Sequence, residues 1–221
     1  MQLFLDTANL EHIRHASRLG LISGVTTNPS LVSKEGKVDY KALVKDICAV
    51  VDGPVSTEVL SQDAEGMIAE AREIATWADN IAVKIPSTLA GLEATSVLAR
   101  ESIKVNMTLC FSLNQAILAA AAGAAFVSPF VGRLDDIGED GMQLVVDIVE
   151  YLRYYDIPTL VIAASIRNTS HCLSASRAGA HIATVPYRVL LQMIEHPLTD
   201  SGVRRFADDW NKVMGNAGIF S

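Results

Sequence analysis

The sequence predicts an α/β chain folded as a (β/α)8 TIM barrel with an extra C-terminal helix. Three observations support this: eight short apolar runs, helical patterns between them, and a length of 221 residues. The runs start 20 to 33 residues apart, which is the length of one βα unit. Eight such units in a chain of this length favour a closed barrel. The predicted strands cover residues 3–8, 23–28, 55–59, 81–86, 104–109, 126–131, 159–165 and 181–186.

The strand runs are rich in Val and Ile and almost continuously apolar, as in a parallel sheet covered by helices on both faces. The segments between them have a helical period, with Ser61 or Asp63 expected to cap one helix and Ser112 another. An open doubly wound sheet is the alternative fold. However, the first strand is not followed by the GxGxxG turn of a dinucleotide-binding sheet.

A single domain is predicted over residues 1–221, because no linker, low-complexity tract or charge run divides the chain. A helix from Tyr187 to about Glu195 completes the barrel. The additional helix is predicted over 199–214, with Thr199 as its cap. Four apolar residues at i, i+3, i+7 and i+10 form one stripe on it: Val203, Phe206, Trp210 and Val213. The stripe either packs across its own barrel or contacts a protein partner, and we expect a homo-oligomer.

Composition and charge exclude several classes of protein. Half of the residues are hydrophobic and 19% are charged, unlike the composition of a disordered chain. The formal net charge of −7 argues against a nucleic-acid groove, which needs a surplus of Lys and Arg. The uncharged stretch 105–132 is long enough to span a bilayer. Because Gly123, Pro129 and several polar residues interrupt it, a buried strand–helix–strand unit is expected and no membrane association.

The cysteines and the start of the chain indicate a cytoplasmic protein. Cys48, Cys110 and Cys172 are scattered, odd in number and free of CxxC spacing, so we expect reduced thiols. The first fifteen residues lack the basic region and apolar stretch of a secretory signal. No histidine cluster has the spacing of metal ligands, so no metal site is expected.

Polar residues interrupt the strands at positions that face the barrel axis. Because side chains alternate along a strand, Asp6, Glu58 and Lys84 point inward near the carboxyl ends of their strands. Matching inward positions of other strands are occupied by Asn28, Lys104, Asn106, Thr108, Ser128 and Ser165. Each could instead be a paired or capping residue, since lone charges are rarely buried. Together they predict an active site at the barrel mouth.

Lys84 is the strongest candidate among these residues, because its four immediate neighbours in IAVKIP are all apolar. Such surroundings disfavour an ammonium ion and leave a neutral amine that can attack a carbonyl to form a Schiff base. A neighbouring carboxyl group, such as that of Asp6 or Glu58, can then move the protons. The sequence therefore predicts Schiff-base catalysis.

A phosphate site is predicted beside this lysine. Arg133 follows the sixth strand, and Ser165 and Arg167 follow the seventh. Loops after the later strands of such barrels frequently bind phosphate, and the guanidinium fork suits that anion. The alternative for each arginine is a surface ion pair, for instance Arg133 with Asp135 or Asp136.

Seven motifs along nearly the whole chain resemble the short transaldolase group of the pentose phosphate pathway. They are FLDTAN, GVTTNPSL, VKIP, VNMTLCFS, SPFVGRLDDIG, AASIRN and the tail HPLTDSGV with FADDWNK. The resemblance implies a (β/α)8 barrel that needs no metal or organic cofactor. It also implies a ring of five subunits, paired into a decamer, with the last helix reaching a neighbour.

The resemblance further implies a role for each site residue. Lys84 would form the Schiff base with C2 of fructose 6-phosphate or sedoheptulose 7-phosphate, and Asp6 would take the C4 hydroxyl proton as the C3–C4 bond breaks. Glu58 and Thr108 would hold a catalytic water. Hydroxyls of the dihydroxyacetone unit would be bound by Asn28, Asn106 and Ser128. The phosphate would be bound by Arg133, Ser165 and Arg167. Glyceraldehyde 3-phosphate leaves, and the enamine adds to erythrose 4-phosphate.

Three other functions stay open. Fructose 6-phosphate aldolase is a sister group in which a tyrosine and a glutamine resemble a water-holding pair, where this chain has Phe130 and Glu58. Without a hydroxyl, Phe130 shields the enamine and holds no water, which favours transaldolase. The other two are a different class I aldolase, such as a deoxyribose-phosphate type, for which no motif matches, and a non-catalytic phosphosugar-binding barrel.

Overall fold

The computed structural model describes residues 1–215 and contains eight parallel strands that close into a barrel in sequence order. The last strand pairs with the first through Gln2 and Ile182, so no sheet edge is left open. The fold prediction is confirmed and the open sheet is excluded. The end of the predicted domain, 216–221, lies outside the described residues. The strands are β1 (Gln2–Asp6), β2 (Gly24–Thr26), β3 (Val55–Glu58), β4 (Ile81–Pro86), β5 (Val105–Cys110), β6 (Phe126–Pro129), β7 (Leu160–Ala163) and β8 (Ile182–Val185).

Helices follow every strand in the described chain. They are α1 (Leu10–Arg18), α2 (Pro29–Val32), α3 (Tyr40–Val50), α4 (Ala64–Ala75), α5 (Leu89–Arg100), α6 (Leu113–Ala121), α7 (Val131–Asp135), α8 (Gly141–Tyr154), α9 (Thr169–Arg177), α10 (Tyr187–Gln192) and α11 (Pro197–Met214). Short helices precede the main helix after β2 and after β6. A 3-10 turn, Ser33–Glu35, extends the first of these insertions.

Polar side chains begin most of these helices, as the sequence predicts. Asp63, rather than Ser61, caps α4 by accepting a hydrogen bond from the amide of Gly66 at 2.8 Å, and Ser112 caps α6. The additional helix α11 begins at Pro197, two residues before the predicted start, with His196 as its cap. Proline suits the first helical turn, because its fixed φ is already helical and its missing N–H needs no partner.

An apolar plug fills the barrel interior beneath the polar residues. It consists of Phe4, Ala82, Phe126, Ile162 and Ile182. Each lies two residues before an inward position nearer the carboxyl end, such as Asp6 after Phe4 and Lys84 after Ala82. A Cβ on Gly24 would lie 2.6 Å from the Phe4 ring, so the plug needs glycine there. The plug leaves the carboxyl end of the barrel for a site.

Two further sequence predictions meet different outcomes. The uncharged stretch 105–132 folds as β5, α6 and β6, as expected, and no helix in residues 1–215 is long and apolar enough to cross a membrane. The inward placement of Lys104 is wrong. This residue is exposed and precedes β5, which starts at Val105, because the amino end of that strand lies at the opposite rim of the barrel.

Candidate active site

A cavity of about 730 Å³ lies at the carboxyl ends of the strands. Its lining includes ten of the eleven predicted site residues: Asp6, Asn28, Glu58, Lys84, Thr108, Ser128, Phe130, Arg133, Ser165 and Arg167. The eleventh, Asn106, is fully buried and does not line the cavity. The barrel therefore brings residues from seven different strands or following loops into one place, as expected when strand ends converge.

Lys84 and Glu58 form an ion pair in the cavity. They are register partners on β4 and β3, and Nζ of Lys84 lies 2.9 Å from Oε2 of Glu58. Nζ also donates to the backbone oxygen of Thr27 at 3.2 Å, and Lys84 is only 4% exposed. Lys84 has apolar neighbours along its own strand, as the sequence indicates, but it is paired with a carboxylate of the adjacent strand. Because the carboxylate touches the ammonium, a proton can pass from Nζ to Glu58 without a long transfer.

Asp6 ends β1 on another side of the cavity. Its Oδ1 accepts a hydrogen bond from Oγ1 of Thr26 at 2.8 Å, and that hydroxyl lies 2.6 Å from Oγ1 of Thr184. Burial raises the pKa of the Asp6 carboxyl above its ordinary value, while the Thr26 hydrogen bond and the charges of Lys84 and Lys34 act in the opposite direction. A carboxylate with a raised pKa is a stronger base than a solvated one, which suits proton removal from a hydroxyl.

A hydrogen-bonded chain supports the cavity floor. Oγ of Ser128 donates to Oδ1 of Asn106 at 2.7 Å, and Nδ2 of Asn106 donates to Oγ of Ser56 at 3.0 Å. All three residues are buried, and only Ser128 of the three lines the cavity. Asn106 thus orients the Ser128 hydroxyl from beneath. Asn28 caps α2 through its Oδ1, which accepts from the amide of Leu31 at 2.9 Å.

The hydroxyl of Thr108 is buried and has no hydrogen-bond partner within the described part of the chain. Buried hydroxyl groups are rarely left without a partner, unless water or a ligand supplies one. Thr108 lines the same cavity as Glu58. The two side chains therefore suit a shared water or a substrate hydroxyl.

Phe130 forms an aromatic wall beside the lysine. The centre of its ring lies 6.0 Å from Nζ of Lys84 and 5.8 Å from the centre of the Phe111 ring. The edge-on contact with Phe111 holds the ring in place. This wall offers no hydrogen-bonding group to the space beside Lys84.

The predicted phosphate residues lie together on the β6 and β7 side. Nη2 of Arg167 pairs with Oδ2 of Asp136 at 2.9 Å, whereas Arg133 has no carboxylate partner among residues 1–215. The proposed alternative pairing of Arg133 with Asp135 or Asp136 is therefore absent from the described chain. Ser165 adopts a left-handed φ of +58°, an uncommon conformation for a residue with a side chain.

Gly132 allows the loops after β6 and β7 to pack closely against each other. Its amide donates to the backbone oxygen of Ser165 at 3.1 Å. A Cβ on Gly132 would lie 2.4 Å from that oxygen and 2.6 Å from Nε of Arg167. Only glycine permits so close an approach, so the position of both residues depends on it.

Sequence reasoning missed five polar residues of the cavity lining: Thr26, Ser30, Lys34, Thr184 and Arg188. Thr26 and Thr184 occupy inward positions on β2 and β8, so the alternation rule could have found them. Arg188 follows the eighth strand closely, and the phosphate rule applied to the sixth and seventh strands extends to it. Lys34 lies in the insertion after β2, where no sequence signal marked it.

Comparison with known proteins agrees with this geometry. Residues 3–217 match the family model described as Transaldolase/Fructose-6-phosphate aldolase. A "Probable transaldolase" of Thermoanaerobacter sp. (strain X514) is 59% identical over 96% of this chain and 98% of its own length. Another, of Dehalococcoides mccartyi, is 59% identical over 97% of this chain and 100% of its own length. A thiamine phosphate pyrophosphorylase structure from Pyrococcus furiosus shares the fold alone, with a TM-score of 0.57 and 17% identity over 84% of this chain and 85% of that one.

The closed barrel, with its cavity at the carboxyl ends of the strands, places the protein in the class of (β/α)8 barrels that carry their site at that end. Within that class, the chain belongs to the Transaldolase/Fructose-6-phosphate aldolase family. The family name covers both transaldolase and fructose 6-phosphate aldolase. The choice between these two activities therefore depends on the residues around Lys84.

Proposed function

We propose that the protein is a transaldolase, which moves a dihydroxyacetone unit from a ketose phosphate to an aldose phosphate through a Schiff base on Lys84. The observation that supports this most is the buried Lys84–Glu58 pair at 2.9 Å, in a cavity that also contains Asp6 and two arginines. The relatives named "Probable transaldolase" support the same assignment. The donors are fructose 6-phosphate and sedoheptulose 7-phosphate, and the activity belongs to the pentose phosphate pathway.

Schiff-base formation begins when the ammonium of Lys84 gives a proton to Glu58. The neutral amine attacks C2 of the donor to form a carbinolamine, which loses its hydroxyl as water to give the iminium ion. Glu58 supplies the proton for that leaving hydroxyl, through a water that the unpartnered hydroxyl of Thr108 helps to hold. Hydrolysis after transfer runs through the same groups in reverse.

Carbon–carbon cleavage depends on Asp6. Its carboxylate takes the proton of the C4 hydroxyl, the C3–C4 bond breaks, and the bonding electrons move into the iminium to give an enamine. The aldehyde leaves, and the enamine carbon attacks the incoming aldehyde, which regains a hydroxyl proton from Asp6. The raised pKa of Asp6 supports both directions, because burial makes its carboxylate a better proton acceptor than a solvated one and the resulting acid can return the proton.

Binding groups surround these reacting atoms. Asn28 and Ser128 face the cavity and suit the hydroxyls of the dihydroxyacetone unit, with Asn106 acting through Ser128. The substrate phosphate lies against the arginines and the serine after β6 and β7, where Arg forks bind it bidentately: Arg133, Ser165 and Arg167. Protein side chains supply every group that the proposed reaction uses, so the proposal requires no cofactor.

Fructose 6-phosphate aldolase is the second candidate, and Phe130 favours transaldolase over it. An aldolase must protonate the enamine carbon and release free dihydroxyacetone, which needs an oriented donor or water. The Phe130 ring stands 6.0 Å from Nζ of Lys84 and cannot hydrogen-bond a water there. The enamine therefore persists until an aldehyde arrives.

A coupled assay for glyceraldehyde 3-phosphate, run with and without erythrose 4-phosphate, tests this choice. We expect rapid release from fructose 6-phosphate only when the acceptor is present. Equal rates without acceptor would assign the protein to the aldolase.

We also propose that α11 assembles the protein into a homo-oligomer, a pentamer or decamer, in the cytoplasm. No residue of α11 is buried, and three apolar residues of its stripe are largely exposed: Val203 63%, Phe206 67% and Val213 81%. The described structure thus favours a partner for the stripe over packing across its own barrel. Exposed apolar patches of this kind mark protein interfaces.

A further inference from the structure

His171 joins the two loops that carry the proposed phosphate-binding residues. It lies in the first turn of α9, and its side chain is 18% exposed. Its Nδ1 accepts a hydrogen bond from the backbone amide of Arg167 at 3.3 Å, and its Nε2 lies 3.2 Å from Oδ2 of Asp135. Arg167 follows β7 and Asp135 follows β6, so one imidazole contacts both loops. His171 does not line the cavity, and the proposed reaction steps do not use it.

The two contacts of His171 require the same form of its imidazole ring. The amide of Arg167 is a donor and needs an unprotonated Nδ1, whereas the carboxylate of Asp135 is an acceptor and needs a protonated Nε2. We assign the neutral ring with its proton on Nε2, because this tautomer satisfies both partners. A proton on Nδ1 would set two N–H groups against each other and break the contact with Arg167.

Arg167 is held at both of its ends. His171 accepts from its backbone amide, and Asp136 pairs with its guanidinium at 2.9 Å. Oδ1 of Asp135 also accepts a hydrogen bond from the amide of Gly141 at 3.2 Å, which ties the end of α7 to the start of α8. Two neighbouring carboxylates of the loop after β6 therefore locate Arg167, one directly and one through His171.

Helix capping explains only one of the two contacts. Asn168 caps α9 by accepting from the amide of His171 at 2.9 Å, and His171 accepts in return from the residue before the cap. Gln115 makes the same contact on α6, where its Oε1 accepts from the amide of Phe111 at 2.8 Å. A cap of this kind needs an acceptor and no donor. The contact with Asp135 is therefore not part of the cap, and it is the one that connects the loops.

We propose that His171 is a positioning residue for the substrate phosphate, because it couples the loop after β6 to the backbone of Arg167. This inference depends on the proposed function, which places the phosphate beside Arg133, Ser165 and Arg167. A guanidinium binds phosphate through two parallel hydrogen bonds, so its placement affects the strength of binding. A side chain whose backbone is already held also loses less conformational freedom when the phosphate binds.

Three substitutions of His171 separate positioning from capping. His171→Gln keeps an acceptor for the amide of Arg167 and a donor for Asp135. His171→Glu keeps the acceptor but sets a second carboxylate against Asp135, and His171→Ala removes both contacts. KM for fructose 6-phosphate should rise about fivefold in the Ala and Glu variants and stay within about twofold of wild type in the Gln variant, with kcat within about twofold throughout. A fivefold change corresponds to about 1 kcal/mol, which one hydrogen bond supplies.

Calorimetric titration with inorganic phosphate gives a second readout, which needs no turnover. The dissociation constant should rise about fivefold in His171→Ala and His171→Glu and stay within about twofold of wild type in His171→Gln. Gln115→Ala is the matched control, because it removes the equivalent capping contact from α6. The dissociation constant of phosphate should be unchanged in this control.

Glu and Gln variants that both bind phosphate as wild type does would show that His171 only caps α9, and would overturn the proposal. An unchanged dissociation constant in His171→Ala, with a wild-type circular dichroism spectrum, would overturn it as well. A wild-type protein that transfers from neither donor would instead overturn the proposed function. The phosphate titration would still decide the role of His171, so the two failures are distinguishable.

Discussion

Lys84 and Glu58 face each other across adjacent strands, with Nζ and Oε2 2.9 Å apart and both side chains largely shielded from solvent. This pair explains how the barrel can bury a lysine at its mouth. A lone buried ammonium is costly, whereas a paired one is tolerated and has an immediate proton acceptor. Glu58 therefore has two roles in this contact: it stabilises the buried ammonium of Lys84, and it accepts the proton that Lys84 gives up.

Lys84→Met should abolish turnover and leave the fold intact. Methionine replaces the apolar stem of the side chain but removes the nucleophile. Transfer activity and circular dichroism check the two parts of this expectation. Lys41→Met, which removes an exposed lysine paired with Glu73, is the control and should keep full activity. More than a trace of transfer by the Lys84 variant would contradict the Schiff-base assignment.

Asp6→Asn should stabilise the protein at neutral pH while it removes activity. Because the pKa of Asp6 is raised in the folded state, folding takes up a proton at pH values between the unfolded and folded pKa. The contribution of Asp6 to the free energy of unfolding therefore falls as the pH rises through this window. Asparagine does not ionise and can still accept the hydrogen bond from Oγ1 of Thr26, so the variant does not lose this stability.

Urea unfolding at about pH 5 and about pH 8 measures the effect. The stability advantage of Asp6→Asn over wild type should be larger at the higher pH. Asp46→Asn, at an exposed position on α3, is the control. An advantage that grows as pH falls would contradict the direction of the shift.

The barrel and the inward position of Asp6 and Lys84 could be predicted because they follow from local periodicity. Alternation along a strand specifies the face, and the distance from the strand end specifies the depth. The pairing of Lys84 with Glu58 could not be predicted in the same way. It depends on the register between β3 and β4, which the chain sets through packing over the whole barrel.

The arginines illustrate a second limit. Arg133 and Arg167 were expected near the phosphate, and both line the cavity, but the surface ion pair involves Arg167 and Asp136 instead of Arg133. Side-chain partners on loops depend on how two separate loops approach each other. The two loops lie in close contact at Gly132, and periodicity does not reveal that contact.

Phe130→Tyr should raise the release of free dihydroxyacetone and weaken transfer. A tyrosine hydroxyl near Nζ of Lys84 could hold a water beside the enamine, and a single hydrogen bond is enough for a tenfold change in rate. Glyceraldehyde 3-phosphate release with and without acceptor measures both reactions. Phe111→Tyr is the control, since it keeps the aromatic contact but leaves Phe130 unchanged. No gain in release for Phe130→Tyr would show that the missing hydroxyl is not what restrains protonation.

Gly132→Ala should raise KM for phosphorylated donors about tenfold or more, because the new Cβ displaces Ser165 or Arg167. The effect on a donor without phosphate should be smaller. Gly202→Ala is the matched control, since a Cβ there meets nothing within 4 Å. An unchanged KM for fructose 6-phosphate in Gly132→Ala would contradict the proposed position of the substrate phosphate beside Arg133, Ser165 and Arg167.

Light scattering should give a mass several times the 23.7 kDa of one chain at micromolar concentration. Phe206→Asp should lower this mass, because it places a charge in the apolar stripe of α11. Asp208→Asn, on the opposite face of the helix, should leave the mass unchanged. A wild-type mass near 23.7 kDa would contradict an oligomer.

The most direct test of the account is borohydride reduction in the presence of fructose 6-phosphate, followed by peptide mass mapping. Borohydride reduces an iminium ion to a stable secondary amine, so the sugar fragment stays attached to the lysine that formed the Schiff base. We predict one adduct of dihydroxyacetone size on Lys84, absent without sugar and absent in Lys84→Met. An unmodified Lys84, or an adduct confined to other lysines, would contradict Schiff-base catalysis by this protein.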